Sequence, residues 1–412
     1  GCLRMEHRVL GFEQTPAGVT VEVESPEGTF TLEGSYLLGC DGGRSTIRHQ
    51  LGVGVEGVTL TERYTLVDVK VDLDVDNQRD YPYLSYFADP KEWMILVRQP
   101  QFWRFLWPRH PELPEFSEDE LAEKVRSYVG SVSDMEVLGS NEFAVHIRAA
   151  STWREGRVFL MGDAAHLLTP MWALGLNTGV LDASNLPWQL AWVLRGWAEP
   201  RLLDAYEREQ KPLAINGSGE MAEAARRFMA HEQESLDSMT DHAWSNAMTR
   251  TMLGVRLDVN GSGDWALASS GSPAAVRAGD RIPDMPIWRS GSQTSLHQLT
   301  RDSFVALYFT DVRRRPRLPR DTPGLKHRAV SHWDAALDSG LRDVSLFDPG
   351  RRVEQRLGVD PESVLLLRPD SHVAGLASLV DGMDVAETMY LGITGRPATA
   401  SGNSQADERG AR

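Results

Sequence analysis

The sequence predicts an α/β protein, and three observations carry that prediction. Two short apolar runs, Tyr36-Leu37-Leu38 and Val158-Phe159-Leu160-Met161, each stop at a Gly/Asp pair and lead into helical text, as parallel strands do before their crossover helices. Between them lies a strand-rich aromatic stretch in which Val67, Val69, Val71, Leu73 and Val75 alternate with polar residues, a pattern that suits an antiparallel sheet with one wet face. Beyond a Gly/Ser-rich junction, "SFVALYFTD", "DVSLFDP" and "ESVLLLRPD" read as buried strands separated by helix-length segments, a further small α/β domain.

Taken in order, Val19, Val21 and Val23 alternate, turn at Pro26-Glu27-Gly28, and answer Phe30 and Leu32, which makes a hairpin. The run at 36–38 ends in Asp41-Gly42-Gly43, and Ser45 is placed to cap a short helix through Arg48 and Leu51. "SEDELAEKVRSYV" is a helix whose Ser117 and Glu120 form a capping box. The second run ends in Gly162-Asp163, crosses a loop containing Pro170, and opens a helix at Gly175-Leu176-Asn177-Thr178-Gly179 that continues as "DASNLPWQLAWVLRG". "RLLDAYEREQKPLA" is a second helix, and residues 217–252 read as helical with mixed charge. A domain boundary falls near 271–276, and residues 398–412 hold too few apolar groups to fold.

At 412 residues two or three domains are expected, with ample core. A net charge of −15 disfavours nucleic acid as a partner. Cys2 and Cys40 are the only cysteines and stand at no metal or redox spacing, so no metal site is expected, and a reducing, cytoplasmic compartment is. No apolar run is long enough to span a bilayer, and no signal peptide is visible.

The chemistry concentrates at the two strand-to-helix joints. Asp163 projects from the carboxyl end of a sheet strand, where a carboxylate suits accepting hydrogen bonds from a polyol. The helix N-terminus at 175–179 offers free N–H groups and a positive dipole end to an electron-poor ring. A polyol beside such a ring describes a flavin. Either joint alone is compatible with an ordinary turn, since Asp-Gly and Gly-Asp end strands in many proteins. His166 could relay a proton or hold its loop. Tyr81, Tyr83, Tyr86, Trp93, Trp103 and Trp107 could line an aromatic pocket or pack the sheet, and Arg98 and Arg104 could meet a phenolate or lie on a solvated face. Trp188, Trp192 and Trp197, at helical spacing, read as core.

Together, "GCDGGRSTIR" and "RVFLMGDAAHLLTP…GLNTGVLDASNLPWQLAWVLRG" resemble the Asp-Gly and Gly-Asp motifs of the FAD-dependent aromatic hydroxylases, single-component flavoprotein monooxygenases of the p-hydroxybenzoate hydroxylase fold. The resemblance covers about residues 1–230, by the order of the parts. The C-terminal "AGDRIPDMPIW…SLHQLTRDSFVALYFTD" resembles the thioredoxin-like domain of the phenol and 3-(3-hydroxyphenyl)propionate hydroxylase branch, here without a cysteine. The fold so implied has an FAD-binding parallel-sheet domain at 1–58 and 151–270, an antiparallel substrate sheet at 59–150, and a thioredoxin-like domain at 276–397. The implied activity is NADPH- or NADH-driven hydroxylation, by O2 through a flavin C4a-hydroperoxide, of a small phenolic or polyketide-type aromatic substrate. The resemblance leaves room for a homodimer.

The implied site assigns Asp163, with Gly162, to the ribityl chain, and the backbone of Gly175, Leu176 and Asn177 to the flavin pyrimidine edge. Pro170 stands beside the flavin where oxygen reacts, and Asp41, Gly42, Ser45 and Arg48 serve FAD and NAD(P)H. The chain departs from the family pattern in reading Ala173-Leu174-Gly175 for Gly-Gln-Gly and Thr169-Pro170 for Pro-Pro. It also shows no G-x-G-x-x-G turn ahead of the hairpin, so the resemblance implies a chain shortened at its N-terminus by roughly a hundred residues. Two alternatives stand beside this reading: a non-catalytic remnant of such a hydroxylase, and a flavin oxidase or halogenase on the same fold. "EWMILVRQP" does not supply the halogenase signature W-x-W-x-I-P.

Overall fold

Alternating valines build the first layer of the computed structural model. It describes residues 3–73, 82–88, 92–129, 134–230, 255–257, 259, 266–267, 276–310, 318–332, 343–382 and 384–396. β1 (Arg8–Gln14), β2 (Val19–Ser25) and β3 (Gly28–Gly34) form an antiparallel meander with Val19 and Val23 buried beneath it. β4 (Leu37–Gly39) runs toward α1 (Thr46–Gln50), and Ser45 Oγ caps α1 by accepting the Arg48 N–H at 2.9 Å.

The aromatic stretch forms β5 (Val55–Lys70), β6 (Leu84–Ala88), β7 (Trp93–Arg98) and β8 (Trp103–Arg109). α2 (Glu118–Val129), opened by the expected Ser117–Glu120 capping box, leads to β9 (Glu136–Ala150). β10 (Arg154–Glu155), β11 (Val158–Leu160) and the short β12 (His166–Leu167) follow. Six of these strands make one antiparallel sheet in the order β12-β9-β5-β8-β7-β6, which leaves β6 at an edge.

The expected wet face is not wet. One side of the sheet packs Val67, Val69, Trp103 and Trp107 against Leu121 and Val125 of α2. The other packs Tyr64, Trp93, Ile95 and Leu106 against Met171, Trp172 and Leu174. Alternation separates the two faces of a strand but does not reveal what lies over the second face, and here the cover arrives about a hundred residues later in the chain.

β11 pairs in parallel with β4, Val158 opposite Leu37 and Leu160 opposite Gly39, while β10 lies antiparallel on β11's other side. α3 (Leu174–Leu194), α4 (Ala205–Pro212) and α5 (Glu220–Met229) follow, then the small pair β13 (Val255–Arg256) and β14 (Ala266–Leu267). Val158, Phe159 and Leu160 are buried with Leu186, Leu190 and Tyr206, so β11 is clamped beneath α3 and α4.

The C-terminal region comprises β15 (Pro286–Arg289), β16 (Ser292–Ser295), α6 (Leu296–Thr300), β17 (Phe304–Phe309), β18 (Leu325–Ser331), β19 (Ser345–Phe347), α7 (Arg352–Leu357), β20 (Ser363–Leu367), β21 (Val373–Ser378) and α8 (Val385–Thr394). Its sheet runs β16-β15-β19-β18-β17-β20-β21. β17, β18 and β19 are mutually parallel, β20 lies antiparallel to β17, and β21 antiparallel to β20. β17 and β20 are buried at every residue, as their unbroken apolar text demands. β18, "LKHRAVS", hides in the sequence because His327 and Arg328 interrupt its apolar pattern, although both are buried.

Residues 231–252 of the stretch read as helical lie outside the described residues, as do Val75, Tyr81, the junction at 271–275 and the tail at 398–412. Among the described residues no helix is long and apolar enough to cross a membrane, and no group of three or more His, Cys, Asp or Glu could hold a metal ion.

Candidate functional site

Because β4 and β11 are parallel neighbours, their carboxyl ends coincide, and the two joints stand side by side. The Met161 N–H donates to the Gly39 carbonyl at 3.0 Å across that end. Gly162 then turns the chain at φ +56°, a conformation that costs glycine nothing, and a single 3-10 turn over Gly162–Ala164 presents Asp163 to solvent. No described residue donates to the Asp163 carboxylate.

The turn itself is held from inside. The Gly162 N–H donates to Asp182 Oδ2 of α3 at 2.9 Å, and His166 Nε2 meets the same oxygen at 2.9 Å. Asp182 is 0% and His166 2% exposed, and the Trp153 ring lies 5.1 Å from the imidazole. His166 therefore faces the interior and holds its loop. Tyr206 Oη adds a bond to the Leu160 carbonyl at 2.9 Å.

At the first joint the side chains serve the backbone. Asp41 Oδ2 accepts the Ile47 N–H at 3.0 Å, the second cap of α1. Arg48 is buried, and its guanidinium donates to the Ala164 carbonyl at 2.8 Å and to the Gly43 carbonyl at 2.7 Å. Burial lowers the Arg48 pKa, with Asp41 opposing. Arg48 thus ties one joint to the other. Gly42, at φ +78°, has open space where a Cβ would stand.

The approach to α3 is strained. Pro170 heads a 3-10 turn, Met171–Ala173, and its carbonyl accepts the Ala173 N–H at 3.2 Å. Trp172 (φ 59°) and Ala173 (φ 54°) are consecutive left-handed residues without being glycine. Each costs about 1–2 kcal/mol relative to ordinary backbone. α3 then opens at Leu174 with no side-chain cap, which leaves a positive dipole end there, and further along the helix Gly179 lies against Gly162, with the Gly162 Cα 3.5 Å from where a Gly179 Cβ would stand. Asn177 Nδ2 reaches back to the Ala173 carbonyl at 2.9 Å. Gly175 and Asn177 are half-buried and Leu176 is exposed, while Leu174 points away into the aromatic face of the sheet.

That face sorts the aromatic candidates. Tyr64, Trp93 and Tyr86 belong to the side that meets the strained turn, and Trp103 and Trp107 to the side under α2. Tyr83 is exposed, with Arg98 stacked 4.2 Å from the Trp103 ring centroid and 5.7 Å from that of Tyr83. Arg104 forms a two-pronged bond to Asp68 at 2.8 and 3.0 Å. Tyr86 Oη accepts the Trp172 N–H at 2.7 Å, and burial pushes its pKa up to about 12.

The profile of the FAD binding domain family matches residues 2–216. The chain belongs to that family. It is 32% identical over 401 residues to a protein of Streptomyces halstedii described as a putative polyketide hydroxylase, covering 91% of this chain and 70% of that one. It is 36% identical over 203 residues to a 3-(3-hydroxy-phenyl)propionate/3-hydroxycinnamic acid hydroxylase of Mycolicibacterium smegmatis, covering 47% of this chain and 34% of that one. Among solved structures, aklavinone-11 hydroxylase in a ternary complex with FAD and aklavinone superposes with a TM-score of 0.75 at 25% identity, over 95% of this chain and 74% of that one. The chain thus spans from about a third to about 70% of the length of the curated relatives it matches.

Three residues outside the sequence-predicted site, Asp182, Trp153 and Tyr206, hold this site from behind. Asp182 had a signal: it is the one charged residue in α3's text "LGLNTGVLDASNLPWQLAWVL", and a lone acid in an apolar helix needs a buried partner. Trp153 and Tyr206 carried none, because aromatic residues near apolar runs are expected as core.

Proposed function

We propose that this chain serves an FAD-dependent aromatic monooxygenase that takes electrons from NADPH or NADH and hydroxylates a phenolic or polyketide-type ring with O2. One observation carries the reading: the carboxyl ends of two parallel strands place Asp163, which has no partner among the described residues, on a turn packed against the N-terminal half of α3, and the uncapped start of α3 is pressed against an aromatic sheet face. These residues fit the cofactor. Asp163 can accept from sugar or polyol hydroxyls, and the N–H groups of Gly175, Leu176 and Asn177 can face the edge of an electron-poor ring. Bound FAD would supply the redox and oxygen-transfer chemistry.

The chain's own part is geometry and exclusion. Arg48, with Asp41 and Ser45, keeps the first joint registered against the second. Asp182 fixes the Gly162 turn so that Asp163 presents outward. Met171, Trp172 and Leu174, all buried, seal the sheet side against water, and Pro170 stands at the head of that seal. Similarity to hydroxylases of hydroxyphenylpropionate and of polyketides supports an oxygen-bearing aromatic ring as the substrate.

The test is titration of the purified chain with FAD, followed by nicotinamide oxidation and product detection with 3-(3-hydroxyphenyl)propionate and aklavinone. Because the resemblance implies a chain shortened ahead of the hairpin, the chain alone is expected to purify colourless; saturable uptake of added FAD with hydroxylated product supports the reading. Absence of FAD uptake would remove the reading for this chain.

A further inference from the structure

We propose that Tyr86 is a positioning residue that holds the flavin-facing start of α3 from the substrate sheet, an inference that rests on the flavin reading above. The hydroxyl of Tyr86, on edge strand β6, accepts the Trp172 N–H at 2.7 Å. That N–H sits at the first of two consecutive left-handed residues, Trp172 and Ala173, which aim α3's uncapped N-terminus. Left-handed backbone in a tryptophan and an alanine persists only where the surroundings over-determine it. Trp172, 3% exposed, is fixed by its packing among Tyr64, Trp93 and Leu174, and its amide by Tyr86.

The hydroxyl keeps its proton at any working pH, so the oxygen remains a neutral acceptor. The neighbouring Ala173 is held by the Pro170 carbonyl at its N–H and by Asn177 Nδ2 at its own carbonyl, and is exposed. The latch therefore joins two parts of the chain far apart in sequence. Among the described strands β6 is hydrogen-bonded only to β7, with Tyr86 opposite Ile95, so a shift of the edge strand is carried directly to the turn.

Tyr86→Phe keeps the ring and deletes the acceptor. In the chain without added flavin, amide hydrogen exchange in peptides spanning residues 168–176 is expected to quicken about tenfold, with no change in peptides from β5, β8 or the C-terminal sheet. Adding Ala173→Gly to Tyr86→Phe supplies a residue at home in the left-handed region, and is expected to bring exchange back to within about threefold of the parent. Ring packing alone would show no such rescue.

In the FAD-loaded chain, Tyr86→Phe is expected to weaken binding of reduced flavin about tenfold more than of oxidised flavin. For a two-electron couple that lowers the midpoint potential by about 30 mV. Unchanged exchange at 168–176, or exchange raised equally along the chain, would overturn the latch. An unshifted potential would overturn its reach to the flavin. If neither parent nor variant takes up FAD, the flavin reading fails, and the exchange and rescue measurements still decide whether Tyr86 holds the turn.

Discussion

The two ends of α3 solve opposite problems. At its N-terminal end the backbone is strained, the first N–H groups have no side-chain cap, and the nearby Asp163 carboxylate has no described partner. At its C-terminal end the buried charges are matched, although Gln189 Oε1 has no described partner. Trp188 and Trp192 pack edge-on against Phe304 of β17, at 5.5 and 6.0 Å between ring centroids, and Phe304 packs in turn against Tyr390 of α8. Asn185 donates to Glu209 at 2.7 Å, and Arg368 reaches both Glu209 oxygens at 2.7 and 2.8 Å. Asp370 closes the cluster by accepting from Arg368 and from Trp188 Nε1. Burial alone would lower the Arg368 pKa, but Asp370 and Glu209 carry it upward; Arg368 likewise holds the Asp370 carboxyl well below the usual range against its burial.

The lesson is a division of labour along one helix. A site that must receive a ligand leaves donors, acceptors and strain uncompensated, while the anchor that keeps the site still pairs the charges it buries. The largest effect is accordingly expected at the anchor. Arg368→Ala leaves the Glu209 and Asp370 carboxylates buried without their cation and should cost about 3–5 kcal/mol of stability. Urea unfolding would show it; a loss under 1 kcal/mol would mean that solvent already reaches the cluster.

pH probes the same side. His327 is 0% exposed and bonded to Tyr308 Oη at 2.9 Å; burial, with Arg328 adding and Asp321 opposing, takes its pKa down to about 4. The folded protein therefore keeps His327 neutral where the unfolded chain would protonate it. This contribution is complete above about pH 6.5 and is lost as pH falls toward 4, amounting to about 3 kcal/mol. Replacing His327 with Gln should flatten that part of the stability profile, and an unaltered slope would assign the loss to other groups.

The ligand end should behave the other way. Asp163→Ala is expected to leave the unfolding midpoint unchanged, since no described residue uses its carboxylate. FAD retention should weaken by about 1.5–3 kcal/mol, the worth of charge-assisted hydrogen bonds. Equal affinity in parent and variant would reduce Asp163 to a turn residue.

The smallest effect sharpens the boundary between the two ends. Asp182→Asn retains an oxygen for the Gly162 N–H but removes the charge facing His166, and is expected to cost about 1 kcal/mol of stability. Its FAD affinity should fall less than that of Asp163→Ala. The reverse order would move the ligand contact from the turn to the helix.

Local chemistry made much of this protein readable before any coordinates. Apolar runs ending in Gly/Asp located β4 and β11, capping residues located α1 and α2, and unbroken apolar text located β17 and β20, because each depends on neighbours within a few residues. The motif text likewise placed Asp163 and the start of α3 next to each other in sequence. Contact over long separations was not readable. That Arg48 ties the two joints, that Tyr86 meets Trp172, and that Arg368 meets Glu209 follow from separations of 116, 86 and 159 residues. The periodicity of a strand tells which residues share a face, but only the packed chain decides which distant segment covers that face, because burial is non-directional and any apolar surface of suitable shape could have served.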